Sequence, residues 1–271
     1  MKATVVVDNR GNGVLSGVWG LFIYIEYGEK HILLDTGASD LFVQNAEKLG
    51  LDLTAVDAAV LSHAHYDHAN GMEAFFRCNS RAKFYVGHTC GADCYYKKLF
   101  LRRYIGVPKT VLQDFQDRVV YAGKEPMEIL PGVYLAPHKT VGLARVGRRE
   151  NMYRRTNGRW VPDDFSHEQS LVLDTEKGLV IFNSCSHGGA ADIIREVAGM
   201  FPGKTVYAII GGFHLYNKSK SEVLALAKEI QQTGIAYVCT GHCTGEQAYQ
   251  LLHRELGEKL HPLQVGLVME F

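Results

Sequence analysis

The chain has 271 residues, 46% of them hydrophobic, enough to bury one large core, so a single domain over 1–271 is expected. Lys plus Arg and Asp plus Glu number 29 each, and no global field favours a nucleic acid or an anionic membrane as partner. Early charges in Met1-Lys2-Ala3-Thr4-Val5-Val6-Val7-Asp8 argue against a signal peptide, no apolar run reaches about 18 residues, and six cysteines in a chain this long are expected as free thiols, which together predict a cytoplasmic protein.

Trp19 to Tyr27 (WGLFIYIEY), Gly28-Glu29 and His31 to Asp35 predict a hairpin. Ser39 to Leu49 follows as a helix, with Ser39 placed to cap it and Gly50 to end it. Val56 to Leu61 (VDAAVL) reads as a short buried strand. Just past it, His63-Ala64-His65-Tyr66-Asp67-His68 gathers three imidazoles and a carboxylate, all ligand types for zinc, iron or manganese. In an extended segment His63 and His65 point the same way and can grip one ion, while Asp67 and His68, past a bend, reach a second. A polar turn with surface histidines is the competing reading, and the density of metal-competent groups disfavours it. A helix start at Asn70-Gly71-Met72 would anchor this loop on a rigid element.

The span 88–165 is less regular and is expected to form a lid or insert. Lys97, Lys98, Arg102, Arg103, Arg145, Arg148, Arg149, Arg154 and Arg155 interleave there with Tyr95, Tyr96, Tyr104 and Tyr153. Such a run is either a solvated charged face or the wall of a phosphate or carboxylate pocket, with Arg148 and Arg149 as its substrate-binding candidates. The second half repeats the first: Ser170 to Asp174, a turn at Glu176-Lys177-Gly178, and Leu179 to Asn183. Helix and strand then alternate through Ala190 to Ala198, Val206 to Ile210, Ser221 to Gln232 and Ala236 to Cys239. The duplicate predicts two sheets face to face, helices outside, and a cleft where strand ends from both halves meet.

The His-x-His-x-Asp-His run, with Ile32-Leu33-Leu34-Asp35-Thr36-Gly37 before it, resembles the metallo-β-lactamase superfamily of metal-dependent hydrolases. Ser184-Cys185-Ser186-His187-Gly188-Gly189, Gly211-Gly212-Phe213-His214-Leu215 and Thr240-Gly241-His242-Cys243-Thr244-Gly245 are similar to a narrower branch, commonly named dihydropterin ribofuranosyl-aminobenzene phosphate synthase-like. Together these motifs run from Asp35 to Gly245. The resemblance implies an α/β (α+β) fold, an αββα sandwich of two mixed β-sheets flanked by helices. It also implies two divalent metal ions, zinc first and manganese or iron as alternatives. Asp35 would support the histidine loop from behind, and Asp35, Asp67 and His214 are the groups expected to serve catalysis.

His187, His214 and His242 each follow a predicted strand. One such histidine is more often a surface residue; three at the same edge as the first cluster point to ligands. His63, His65 and His187 are assigned to one ion and Asp67, His68 and His242 to the other, which completes two three-ligand sets and leaves His214 beside them. Most superfamily members place a ligand histidine before the second strand pair and a bridging aspartate after it. Here His167, aligned only with a one-residue gap, and Cys185 stand in those places, and each is an alternative ligand. The implied activity is hydrolysis of a small anionic, phosphorylated or ester substrate by a metal-activated water that Asp67 orients. Synthase chemistry joining an aminobenzoate to a ribosyl phosphate, iron-dependent redox chemistry and metal-dependent binding without turnover are the alternatives. Substrate identity and oligomeric state stay open.

Overall fold

The computed structural model describes residues 1–91 and 93–271. Phe22–Tyr27 and Lys30–Leu34 pair antiparallel, Ile25 opposite Ile32, around a two-residue turn whose Gly28 has φ +58°, a conformation open to glycine at little cost. Alternation then sorts the side chains. Ile23, Ile25, Ile32 and Leu34 pack into the core between the sheets, whereas Phe22, Tyr24 and Leu33 face outward under helices.

The first sheet has seven strands in the order Val268–Glu270, Lys2–Val7, Phe22–Tyr27, Lys30–Leu34, Ala58–Val60, Lys83–Val86 and Val119–Tyr121. The last three join in parallel, as buried apolar strands with crossover helices do. The second sheet runs Leu260–Pro262, Tyr237–Thr240, Val206–Gly211, Gly178–Phe182, Gln169–Thr175, Val133–Pro137 and Met127–Leu130. Leu171, Leu173, Val180, Phe182, Ala208 and Ile210 meet the first sheet's inward residues. On the outer faces lie Leu41–Lys48 and Met72–Cys78 on one side, and Ala190–Met200, Lys220–Gln232 and Glu246–Leu256 on the other. The protein is thus an αββα sandwich of two mixed sheets.

Two local expectations are revised. The first helix begins at Leu41 after Asp40, with no side-chain cap bond; the Ser39 hydroxyl only accepts the Leu41 N–H at 3.3 Å. Gly50, at φ +68°, follows the helix end as expected. The span 88–165 is not one insert, because Val119–Tyr121, Met127–Leu130 and Val133–Pro137 belong to the two main sheets. What remains is a separate antiparallel sheet, in the order Arg159–Pro162, Met152–Thr156, Cys94–Lys98 and Leu101–Tyr104. Among the described residues no helix is long and apolar enough to cross a membrane.

Candidate metal centre

The buried strand Ala58–Val60 delivers its chain directly to the histidine loop. His65 is still extended (φ −96°, ψ 149°), and the next four residues, Tyr66–Ala69, form a single helical turn that carries Asp67 and His68. The bend is held from both sides. Thr36 donates its N–H and its hydroxyl to the His68 carbonyl at 2.7 and 2.8 Å, and Gln169 at the start of the second sheet's central hairpin donates its N–H to Ser62 and its side-chain amide to Leu61. His187 and His242 arrive from the other half on the loops after Gly178–Phe182 and Tyr237–Thr240. Asp35, Ser186, His214 and His242 all have φ between +49° and +61°, and for non-glycine residues such left-handed backbone carries strain.

Hydrogen bonds fix how each imidazole is turned. Nδ1 of His68 meets Asp35 Oδ2 at 2.7 Å, Nδ1 of His187 meets Glu168 Oε2 at 3.0 Å, Nδ1 of His242 meets Asn9 Oδ1 at 2.9 Å, and Nδ1 of His63 meets the Ser62 hydroxyl at 2.9 Å. An acceptor on Nδ1 places the proton there and leaves Nε2 with a free lone pair. Nε2 of His63, His187 and His242 is buried and has no hydrogen-bond partner among the described residues. Nε2 of His68 faces Cys185 Sγ at 3.4 Å and Asp67 Oδ2 at 3.5 Å, and Asp67 Oδ2 is also 3.7 Å from Nε2 of His242. The rings of His63, His65 and His187 lie 4.7 to 5.2 Å apart. Cys185 belongs to both sets: its sulfur lies within 4.8 Å of the facing nitrogens of His63 and His187, and of His68 and His242.

Burial and neighbouring charge act together at His63 and against each other at Asp67, His68 and Cys243. Burial pushes His63 well below the ordinary imidazole value, and the neighbouring imidazoles add to the effect. Burial likewise lowers His242. Burial alone would raise Asp67, yet His68 and His242 hold it well below the usual carboxylate range. Burial also opposes a charged His68, but Asp67 and Asp35 outweigh it and lift that group to about 10. Cys185 and Cys243 lie 3.4 Å apart, sulfur to sulfur. Burial pushes Cys185 up, whereas Cys243, despite burial, is drawn down by its contact with Cys185 and by His242 and His214. The donor set of imidazole, carboxylate and thiol with unpartnered buried nitrogens fits divalent metal ions.

The remaining expected residues are distributed as follows. Asp35 is fully buried behind His68, accepts the Ser62 N–H and hydroxyl at 2.7 Å each, and does not line the cleft, so its part is positioning rather than contact with a substrate. His214 lines the cleft, its ring 4.6 Å from that of His187, and both its nitrogens lack a partner among the described residues. His167 accepts the Ala64 N–H on Nδ1 and turns Nε2 to Asp163 at 3.2 Å, which places it behind His65. Asp163 Oδ2 is also 3.9 Å from Nε2 of His65. Arg148 and Arg149 do not line the cleft. They are exposed at the end of the short helix Ala144–Arg149, where Gly147 and the preceding Leu143 face inward, and Arg149 pairs with Glu222 at 2.9 Å. The basic residue at the cleft is Arg103, beside Tyr96, Tyr66 and Met152. Sequence reasoning missed Asn9, Trp19, Asp163 and Glu168; Trp19 donates its indole N–H to Asp67 Oδ2 at 3.0 Å.

A family model described as the metallo-beta-lactamase superfamily matches residues 20–242. A 7,8-dihydropterin-6-methyl-4-(beta-D-ribofuranosyl)-aminobenzene-5'-phosphate synthase of Methanocaldococcus jannaschii is 27% identical over 256 residues, which cover 90% of this chain and 85% of that protein. A solved metal-dependent hydrolase of the beta-lactamase superfamily superposes with a TM-score of 0.84 at 28% identity, covering 100% of this chain and 99% of the other. Zn(2+)-bound PqqB from Methylobacterium extorquens shares the fold, with a TM-score of 0.58 at 11% identity over 100% of both chains.

Proposed function

The chain belongs to the metallo-beta-lactamase superfamily, and from that premise we propose that it is a dinuclear metal-dependent hydrolase of a small anionic ester or phosphoester. The observation that carries this reading is the set of buried Nε2 atoms on His63, His187 and His242, each fixed by an outer acceptor on Nδ1 and turned toward Cys185 or Asp67. His63, His65 and His187 would hold one ion and Asp67, His68 and His242 the other, with Cys185 between them where most members carry an aspartate. Zinc suits this mixed nitrogen, oxygen and sulfur set. Divalent ions bound there supply Lewis acidity and a nucleophile from water near neutral pH.

The chain's own residues do the rest. Asp67, kept ionised and held by Trp19, can accept a hydrogen bond from water approaching the cluster and so orient it. His214, with free ring nitrogens at the cleft wall, can take the proton that the attacking water releases and pass it to the leaving oxygen. Arg103 binds the anionic group at the mouth. The six free cysteines suit a reducing, cytoplasmic setting. Purified protein should carry two metal equivalents per chain and hydrolyse members of a phosphoester panel, with activity lost on chelation and regained on metal addition. Stoichiometric metal absent from every preparation, or no turnover of any ester, would overturn the proposal.

A second reading is favoured by the synthase relative, which matches 90% of this chain. That relative's name describes a dihydropterin methyl group joined to a ribofuranosyl-aminobenzene phosphate, so here the cleft would form a bond between the arylamine nitrogen and the 6-methyl carbon as a leaving group departs from that carbon and the amine loses a proton. Incubation with a ribofuranosyl-aminobenzene phosphate and a dihydropterin whose 6-methyl carbon carries a diphosphate separates the two: pyrophosphate release that requires both substrates supports the synthase, and release without the arylamine supports hydrolysis.

A further inference from the structure

One hairpin of the small sheet, Cys94–Lys98 with Leu101–Tyr104, carries at its tip Lys97-Lys98-Leu99-Phe100-Leu101-Arg102-Arg103, three apolar residues with two cations on either side. Leu99, Phe100 and Leu101 are 79%, 83% and 66% exposed. A single exposed apolar side chain is ordinary on a protein surface, but three in succession at a turn form a contact surface that nothing among the described residues covers. The turn itself does not call for them. Lys98 pairs with Leu101, so Leu99 and Phe100 are its two central residues, and Leu99 has φ +55°, a conformation that glycine takes readily and leucine only under strain. Nor does the tip wall the cleft: Tyr96 and Arg103 at the base of the hairpin line it, and residues 97–102 do not.

Charge selects what covers this tip. The four strands of the small sheet contain no carboxylate, and of their cations only Arg154 makes ion pairs among the described residues, with Asp93 and Asp164. Lys97, Lys98, Arg102, Arg103, Arg155 and Arg159 are left without one. The whole chain has no net charge, so this positive field belongs to the small sheet alone. Arg102 lies over the Trp160 ring at 4.3 Å, and Trp160 is 37% exposed, which sets an amphipathic ring beside the cations. A second copy seated tip to tip would bring like charge against like charge, and a nucleic acid would neutralise the cations while leaving Leu99, Phe100 and Leu101 in water. An anionic bilayer meets both features, since the apolar tip enters the acyl boundary while Lys97, Lys98 and Arg102 stay at the lipid phosphates. We propose that this hairpin docks the protein on an anionic lipid surface. Tyr96 and Arg103 belong to the same hairpin, so docking also orients the cleft relative to that surface. The docking is independent of which reaction the histidine cluster performs.

The test sediments the full chain with phosphatidylcholine vesicles that contain about one third phosphatidylglycerol, and with vesicles of phosphatidylcholine alone. Binding is expected to the first only, and should weaken severalfold as salt rises from about 0.1 to 0.5 M. Phe100→Ser should lower the partition coefficient about tenfold or more, and the double change of Lys97 and Lys98 to Gln about tenfold, each with an unchanged melting temperature. Leu99→Gly separates docking from folding. It relieves the positive φ, so the melting temperature should hold while vesicle binding falls, whereas a leucine needed for the fold would lower the melting temperature. No binding to the anionic vesicles, equal binding to the neutral ones, or a wild-type partition coefficient in Phe100→Ser would overturn the proposal. With the first of these results, a lipid-free dimer lost in Phe100→Ser would seat the tip on a second copy, and single-stranded RNA binding lost in the lysine variant would make the sheet a nucleic-acid face. Because partition is read without turnover, failure of the proposed hydrolase leaves this outcome unaffected.

Discussion

His187 shows how the cluster is poised before any ion binds. Burial disfavours its charged form, and even with Glu168 at 3.0 Å its pKa falls to about 4, whereas an unfolded chain titrates near 6.5. Between those values the unfolded state binds the extra proton, so stability falls as pH drops from about 6.5 to 4, by about 3 kcal/mol in all. His68 works the other way. Raised to about 10 by Asp67 and Asp35 against the pull of burial, it contributes stability that is whole below about 6.5 and is lost as pH rises through 10. The chelated protein should therefore have its highest melting temperature near pH 6 to 7, falling on both sides, and His187→Gln should flatten the acid limb. A midpoint that climbs steadily from pH 5 to 9 would contradict this. In metal analysis, His187→Ala and His242→Ala should each lose about one equivalent while His214→Ala keeps both and loses turnover; metal loss in the His214 variant would reverse the assignment. The inward histidines were legible because they follow strands, and Asp35 behind His68 was legible from its place at a strand end, but the other holders were not. Asn9 is 233 residues from His242, and nothing local marks Asp163 or Glu168.

At the scale of elements, alternation was a dependable guide wherever one face of a strand is buried. Every strand expected from Phe22 to Thr240 outside the lid span is present, and both halves share the order hairpin, helix, parallel strand. It failed in the span 88–165 for a physical reason. Leu101–Tyr104 and Arg159–Pro162 are largely exposed on both faces, so no buried period separates them from loop, and the neighbouring arginines read as one basic run. Which arginine meets the cleft is decided by the small sheet: Arg103 pairs opposite Tyr96, and both reach the pocket, while Arg148 and Arg149 end a helix facing solvent. Arg103→Ala should raise the Michaelis constant for an anionic substrate about tenfold or more and leave an uncharged analogue nearly unchanged, since a charge-assisted contact of about 1.5–3 kcal/mol is lost. The double change of Arg148 and Arg149 to Ala should alter neither. Equal effects of the two variants would return both sites to surface charge.

Over the whole molecule, the cluster lies at the seam between two halves that each build their own sheet. His63, His65, Asp67 and His68 hang from the first sheet, and Cys185, His187 and His242 from the second. An ion held by ligands from both sides is present only when the halves are docked, so its binding free energy counts toward global stability rather than toward one loop. At a free ion concentration a hundred times the dissociation constant that contribution is about 2.7 kcal/mol, and for a chain of this size each kcal/mol moves the midpoint by roughly 2–4 °C. Chelation should therefore lower the melting temperature by roughly 5–10 °C in a single cooperative transition, with zinc restoring it in proportion to occupancy. His65→Ala should show a smaller chelator effect, because one ion then has too few ligands to bridge the seam. The sandwich core contains Phe182, Leu34 and Val60, which are fully buried between the sheets independently of any metal, so the apoprotein still folds and the difference remains measurable. If complete removal of metal left the midpoint where it was, the ions would have to sit on one half alone, and the pairing of His63 with His187 across the seam could not be their site.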